Sequence, residues 1–199
     1  MADVDVWVAP LDVTAGWLAP TPGEAERAAR LAPAQLQQRY LRSHAALRAI
    51  LRTYTAAALD FALAGNGKPY LPAAPELAFN LSHSHEMALV AVAYGVEVGV
   101  DVEWLRPFDD CLAIAERFFP PAEAAALAEV PSGARTGEFF RRWTRIEAML
   151  KARGIGLYGA GAELPGEWTV LPVDAGPGYT AAVAANRGGM TIRVCRFEL

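Results

Sequence analysis

Val4, Val6 and Val8 alternate with Asp3, Asp5 and Trp7, and Pro10 closes the run. Successive strand side chains point to opposite faces, so this alternation predicts a half-buried β-strand. Thr21-Pro22-Gly23-Glu24 has the ingredients of a helix start, a capping hydroxyl, a proline in the first turn and a glutamate three residues on. Apolar points at Leu36, Tyr40, Leu47, Leu51 and Tyr54 extend a mostly helical stretch to about Leu63, where Gly65-Asn66-Gly67 breaks it. Leu77, Phe79 and Leu81 predict a short strand, residues 87–94 an apolar one, and residues 96–102 another after a turn at Gly95.

The second half repeats the plan. Helices are predicted to start near Asp109 and Pro121, and a third spans 136–153 before Gly154 stops it. Gly- and Pro-rich loops follow, then strands over 168–173, 179–184 and 190–197. The expected class is therefore α+β, with two similar halves, residues 1–95 and 96–199, joined near Gly95.

Composition narrows the possibilities. A chain of 199 residues buries roughly 70% of its extended surface, enough for a sizeable core. Its 53% hydrophobic content leans on alanine, and no apolar run approaches the roughly 20 residues that span a bilayer. The start lacks the basic and apolar blocks of a signal peptide, so a cytoplasmic location with no membrane partner is expected. A net charge of −4 argues against a nucleic-acid partner. Cys111 and Cys195 stand far apart, form no metal-type cluster and read as buried thiols. Lys68 and Lys151 are the only lysines among many arginines, which marks them for places where a compact ammonium matters.

The chemistry gathers in two stretches. In Gly99-Val100-Asp101-Val102-Glu103 the valines share one strand face and the acids the other. In the later helix Trp143, Glu147 and Lys151 recur at spacing four and share a face, while Phe139, Phe140, Trp143, Ile146 and Leu150 form an apolar stripe. Three carboxylates suit a hard divalent cation such as magnesium, which keeps a few acids, water and a phosphate-bearing substrate. The plainer readings are an exposed Glu147–Lys151 ion pair and a solvated edge strand for Asp101 and Glu103. Asn80-Leu81-Ser82-His83-Ser84-His85 offers hydroxyl, amide and imidazole groups for phosphate oxygens, or is simply a polar turn; zinc at His83 and His85 lacks further ligands. Arg39 and Arg42 would point away from Arg48 and Arg52 on one helix, so only a subset can serve one ligand. Gly67-Lys68-Pro69-Tyr70 is a loop able to edge a planar base.

Gly99 to Glu103, followed by Trp-Thr-Arg-x-Glu-Ala-x-Leu-Lys-Ala-x-Gly-x-Gly-Leu from Trp143 to Leu157, resembles the signature of the 4′-phosphopantetheinyl transferases. Gly67-Lys68-Pro69, Asn80 to Ser84 and Pro177 to Ala182 resemble further blocks of the single-chain, surfactin-type branch, in that family's order. The resemblance implies two similar α+β halves about a pseudo-twofold axis, the first (1–95) binding the nucleotide of coenzyme A and the second (96–199) carrying the magnesium and catalytic residues. It implies transfer of the phosphopantetheine arm from coenzyme A to a serine of an apo carrier protein by a monomer, with release of adenosine 3′,5′-bisphosphate. Asp101, Glu103 and Glu147 would hold magnesium; Glu147, directly or through water, would take the serine proton, and Lys151 would neutralise the leaving group. Ser82 and His83 would bind coenzyme A phosphates, Arg48 and Arg42 would lie near the 3′-phosphate, and Lys68 and Pro69 would lie against the adenine. One departure stands out: the family's lysine before the metal-binding glutamate is Ile146 here. Other readings are a different magnesium-dependent phosphotransferase and a non-catalytic coenzyme A or carrier-binding module. Asp101, read as exposed, is expected to tolerate alanine without loss of fold while turnover is abolished.

Overall fold

Alternation at the start of the chain produces strand β1 (Val4–Pro10), whose Val4, Val6 and Val8 are fully buried. The computed structural model describes residues 3–13, 16–156 and 167–198; Leu157, the last residue of the motif block, lies outside the described residues. The Thr21 signature closes as a complete capping box at the start of α1 (Pro22–Ala29): the Thr21 hydroxyl accepts from the Glu24 amide, and the Glu24 carboxylate accepts from the Thr21 amide. The expected long helix is shorter than its apolar pattern suggests. Helix α2 (Ala34–Leu51) begins after Pro33 and ends a dozen residues before Leu63. Thr53 and Thr55 account for the stop, because their hydroxyls bond locally, Thr53 donating to the Ile50 carbonyl and Thr55 accepting from the Ala57 amide. The Gly65-Asn66-Gly67 break is instead the turn between two short strands, β2 (Ala62–Leu63) and β3 (Pro69–Tyr70).

Strands β4 (Leu77–Ser84) and β5 (Met87–Tyr94) form a hairpin, and β6 (Val98–Trp104) follows the left-handed turn at Gly95. Helices α3 (Cys111–Phe118) and α4 (Pro121–Ala128) lead to α5 (Ser132–Arg153), which ends where Gly154 adopts a left-handed conformation. Strands β7 (Thr169–Pro172), β8 (Tyr179–Ala185) and β9 (Ile192–Arg196) complete the described chain. One sheet has the order β4-β5-β1-β9 and the other β6-β8-β7. The last strand therefore crosses back to the first sheet, where it runs parallel to β1.

The layering follows from which residues each strand turns inward. Val4, Val6 and Val8 meet Val98, Val100, Val102 and Val183 between the two sheets. On the outer face of the first sheet, Phe79, Val90 and Val92 pack on Leu47, Ile50 and Leu51 of α2. On the outer face of the second, Ala182 and Ala184 meet Ala148 and Ala152 of α5. The aromatic stripe of α5 is used elsewhere: Phe139 and Phe140 pack, with Trp143 and Ile146, against α3 and α4. Ile146 thus serves this apolar contact. Both cysteines are free thiols, Cys111 buried and Cys195 half-buried. Among the described residues no helix is long and apolar enough to cross a membrane.

Candidate active site

Because Val100 and Val102 face the space between the sheets, Gly99, Asp101 and Glu103 must face α5. At Gly99 the strand touches the helix directly, since an added Cβ would lie 2.2 Å from the Ala148 carbonyl oxygen and the Ala152 amide. That approach brings Lys151 over the next inward position. Its ammonium donates to Asp101 Oδ1 at 2.6 Å and to the Ser82 hydroxyl at 3.0 Å. Lys151 therefore pairs with Asp101 across two elements, which replaces the exposed pairing with Glu147 as its anchoring contact.

Nor is Asp101 a solvated edge residue. It is only 4% exposed. Strand β4 runs alongside β6, and the two sheet edges are joined by side chains. The amides of Val100, Val102 and Trp104 donate to Asn80 Oδ1 (2.9 Å), Ser82 Oγ (3.3 Å) and Ser84 Oγ (3.1 Å). The hydroxyls in turn donate to the acids, Ser82 to Asp101 Oδ1 and Ser84 to Glu103 Oε2, both at 2.9 Å. Burial drives the Asp101 pKa up, against the opposing pull of Lys151, Ser82 and the Val102 amide. Burial and the Asp101 charge also raise Glu103. Glu147 is raised by burial, then by Asp101, with Glu103 adding to the effect and Lys151 opposing it. The three acids thus feel one another across a common space.

Two observations bear on a cation here. Asp101 Oδ2 is buried and has no hydrogen-bond partner, which leaves one carboxylate oxygen available to a ligand. The donor set is all hard oxygen, the chemistry magnesium selects. As the side chains stand, however, no three His, Cys, Asp or Glu residues among those described form a ready-made metal cage, and the Lys151 ammonium takes the cationic place beside Asp101. Asp101, Glu103 and Glu147 fit a divalent ion by chemistry and by mutual influence.

Beside this cluster opens a cleft of about 930 Å³ between α1, α2 and β4, lined in part by Arg27, Tyr40, His44, Pro69, Ser82, His83 and Lys151. His83 is exposed by area but sits in this concavity, where desolvation and the nearby charges of His44, Lys151 and Arg39 push its pKa down to about 4. Burial likewise lowers His44. Both imidazoles are therefore neutral at neutral pH. Arg27 and His44 belong to no motif legible in the chain. They reach the cleft because α1 and α2 pack side by side.

Three expected ligand residues have their cationic groups taken up within the protein. Arg42 donates to the Leu11 carbonyl at 2.6 Å. Arg48 is buried, paired with Glu24 and donating to the Ala19 carbonyl. Lys68 lines the far side of the 62–70 hairpin, where its ammonium donates to Glu97 (2.6 Å) and to the Ala152 carbonyl (2.8 Å) near the end of α5.

The Glu147 environment yields a prediction. Glu147→Gln should leave the ligand-free protein as stable as the parent or more so at neutral pH, while transfer is lost. An acid raised by burial and like charges is costly to ionise, so the gain is present above its raised pKa and fades as pH falls through it. Thermal unfolding against pH checks this; a clear loss of stability at neutral pH would mean that Glu147 serves as a structural ion pair.

Comparison with known proteins agrees with the geometry. The profile of the 4′-phosphopantetheinyl transferase superfamily matches residues 97–184, which include Asp101, Glu103, Glu147 and Lys151. The chain is 37% identical over 166 residues to 4′-phosphopantetheinyl transferase HetI of a Nostoc species, covering 78% of this chain and 70% of that protein. It is 34% identical over 161 residues to the putative 4′-phosphopantetheinyl transferase slr0495 of a Synechocystis species, covering 72% of this chain and 65% of the relative. With 4′-phosphopantetheinyl transferase Sfp of Bacillus subtilis the match is 34% over 91 residues, 46% of this chain and 39% of that protein.

Proposed function

The chain belongs to the 4′-phosphopantetheinyl transferase superfamily, and we propose that it moves the phosphopantetheine arm of coenzyme A to a serine of an apo carrier protein, releasing adenosine 3′,5′-bisphosphate with magnesium as cofactor. The observation that carries this reading is the meeting of Lys151 with a buried Asp101 whose second oxygen is free, while Glu103 and Glu147 face the same space. Asp101, Glu103 and Glu147 would hold the ion. Magnesium, when bound, offsets the charge of the pyrophosphate and of the oxygen that leaves it. Lys151 adds a fixed positive charge at the leaving phosphate. Glu147, directly or through water, would take the proton of the incoming serine hydroxyl. His83, His44 and Arg27 line the cleft offered to the nucleotide phosphates, with Pro69 at its edge. In this scheme residues 1–95 supply most of the nucleotide cleft and residues 96–199 supply the acids and Lys151.

The decisive test incubates the full chain with coenzyme A, magnesium and a panel of apo carrier proteins, with intact-mass readout. A carrier that gains the mass of the phosphopantetheine arm supports the proposal, and no gain on any carrier would overturn it.

The cleft also predicts a pH effect. A phosphate beside His83 favours imidazolium, so its pKa rises from about 4 on binding. Coenzyme A should then bind with uptake of protons, and more tightly as pH falls toward the ordinary imidazole range. Calorimetry in buffers of different ionisation enthalpy measures the uptake. It should shrink in His83→Gln; an uptake identical in parent and variant removes His83 from the phosphate site.

A further inference from the structure

Resting on that reading of the acid cluster, we infer that Ser84 is a positioning residue, one that aims Glu103 at the ion. Its hydroxyl is used twice. It accepts from the Trp104 amide at 3.1 Å and donates to Glu103 Oε2 at 2.9 Å. Ser82, two residues earlier and on the same strand face, makes the same pair of contacts to the Val102 amide and Asp101. Each serine thus ties a carboxylate to the amide of the residue that follows it. The difference lies in what else holds the acid. Asp101 is also gripped by Lys151 at 2.6 Å, whereas Glu103 feels Lys151 only through space and, among the described residues, is ion-paired with Arg106 at 3.7 Å, half in solvent. Ser84 is therefore the short, directional contact that sets the Glu103 rotamer.

The corner next to Ser84 is built to keep it there. His85 adopts φ 53°, a left-handed conformation that a residue with a side chain seldom takes. Its ring stacks on Trp104 with 4.4 Å between centroids. The strained turn between β4 and β5 is thereby pinned to the end of β6, beside Glu103. Local strain persists where the surrounding structure over-determines it, and here the surroundings hold the Ser84 hydroxyl in register with the acid. Groups that orient a metal-binding carboxylate typically change ion affinity by 10- to 100-fold when removed.

The test titrates Mn²⁺ into the full chain saturated with coenzyme A, following free ion by electron paramagnetic resonance, for the parent, Ser84→Ala, Ser84→Thr and Glu103→Gln. Ser84→Ala should weaken Mn²⁺ binding by roughly tenfold or more. The Mn²⁺ concentration for half-maximal transfer should rise in parallel, while turnover at saturating Mn²⁺ is retained. Ser84→Thr keeps the hydroxyl and should restore parental binding. Should Ser84→Ala fail to fold, Ser84→Cys, with a weak donor of similar size, replaces it with the same expectation. Parental affinity in Ser84→Ala alongside weakened Glu103→Gln overturns the positioning role alone. A parent that does not bind Mn²⁺ overturns the cation reading of the site and this inference with it.

Discussion

Asp101→Asn is expected to lower transfer by roughly 10²–10³-fold while leaving the protein folded, the size of loss seen when one preorganised polar group is removed from a site that works by electrostatic stabilisation. Asparagine is the right probe because Asp101 is buried. Alanine would leave a hole and strand both the Ser82 hydroxyl and the Lys151 ammonium, so a loss of activity in Asp101→Ala would mix chemistry with folding. The amide keeps the shape and one acceptor for Ser82 and Lys151, yet removes the charge that attracts a cation. Stability should change little, since the relief of a buried carboxylate offsets the weaker partner left to a Lys151 side chain that is still 30% exposed. Turnover and thermal unfolding, measured together, separate the two effects. A variant that transfers at the parental rate would remove Asp101 from the site.

The second large effect is structural in origin and catalytic in outcome. Gly99→Ala should destabilise the protein by about 1–3 kcal/mol or more, the usual range for overpacking. The added carbon would stand 2.2 Å from two backbone atoms of α5 and 2.8 Å from the Ala152 Cα, and none of these can swing aside. Only movement of the whole helix relieves the clash, and α5 carries Glu147 and Lys151. A shift of about 1 Å in catalytic groups can cost 10²-fold in rate, so activity should fall even where the variant remains folded. Gly137→Ala is the control. That position lies in the same helix with only the tip of Arg141 within 4 Å, at 3.7 Å, and alanine there should stabilise by up to about 1 kcal/mol. If both variants behave alike, the close contact between helix and strand does not hold α5 in place.

The contrast between these two glycines shows what local pattern reveals and what it leaves out. Period-two alternation identified β1 and put Asp101 and Glu103 on one face, because that geometry is a property of the strand itself. The capping box at Thr21 and the stop at Gly154 were legible for the same reason. The depth of Asp101 was not. It depends on β4 arriving beside β6 from a distant part of the chain, and no local pattern encodes that approach. Lys68 stood out as a rare ammonium, but its partners Glu97 and Ala152 exist only once the hairpin meets the end of α5. The apolar pattern over-extends helix α2 because apolar points continue past Leu51, whereas threonine hydroxyls decide the stop. Arg27 and His44 gave no signal, since a cleft between two helices is made by packing.

The parallel pairing of β9 with β1 has a consequence for biogenesis. Asp3 and Thr191, 188 positions apart, are joined by hydrogen bonds at that boundary, as are Asp5 and Arg193. During translation that edge of β1 stays bare until β9, 188 positions further along the chain, has been made. Completion of the first sheet therefore waits on a distant segment, and until that segment arrives β1 presents an unpaired β edge that invites chaperone attention.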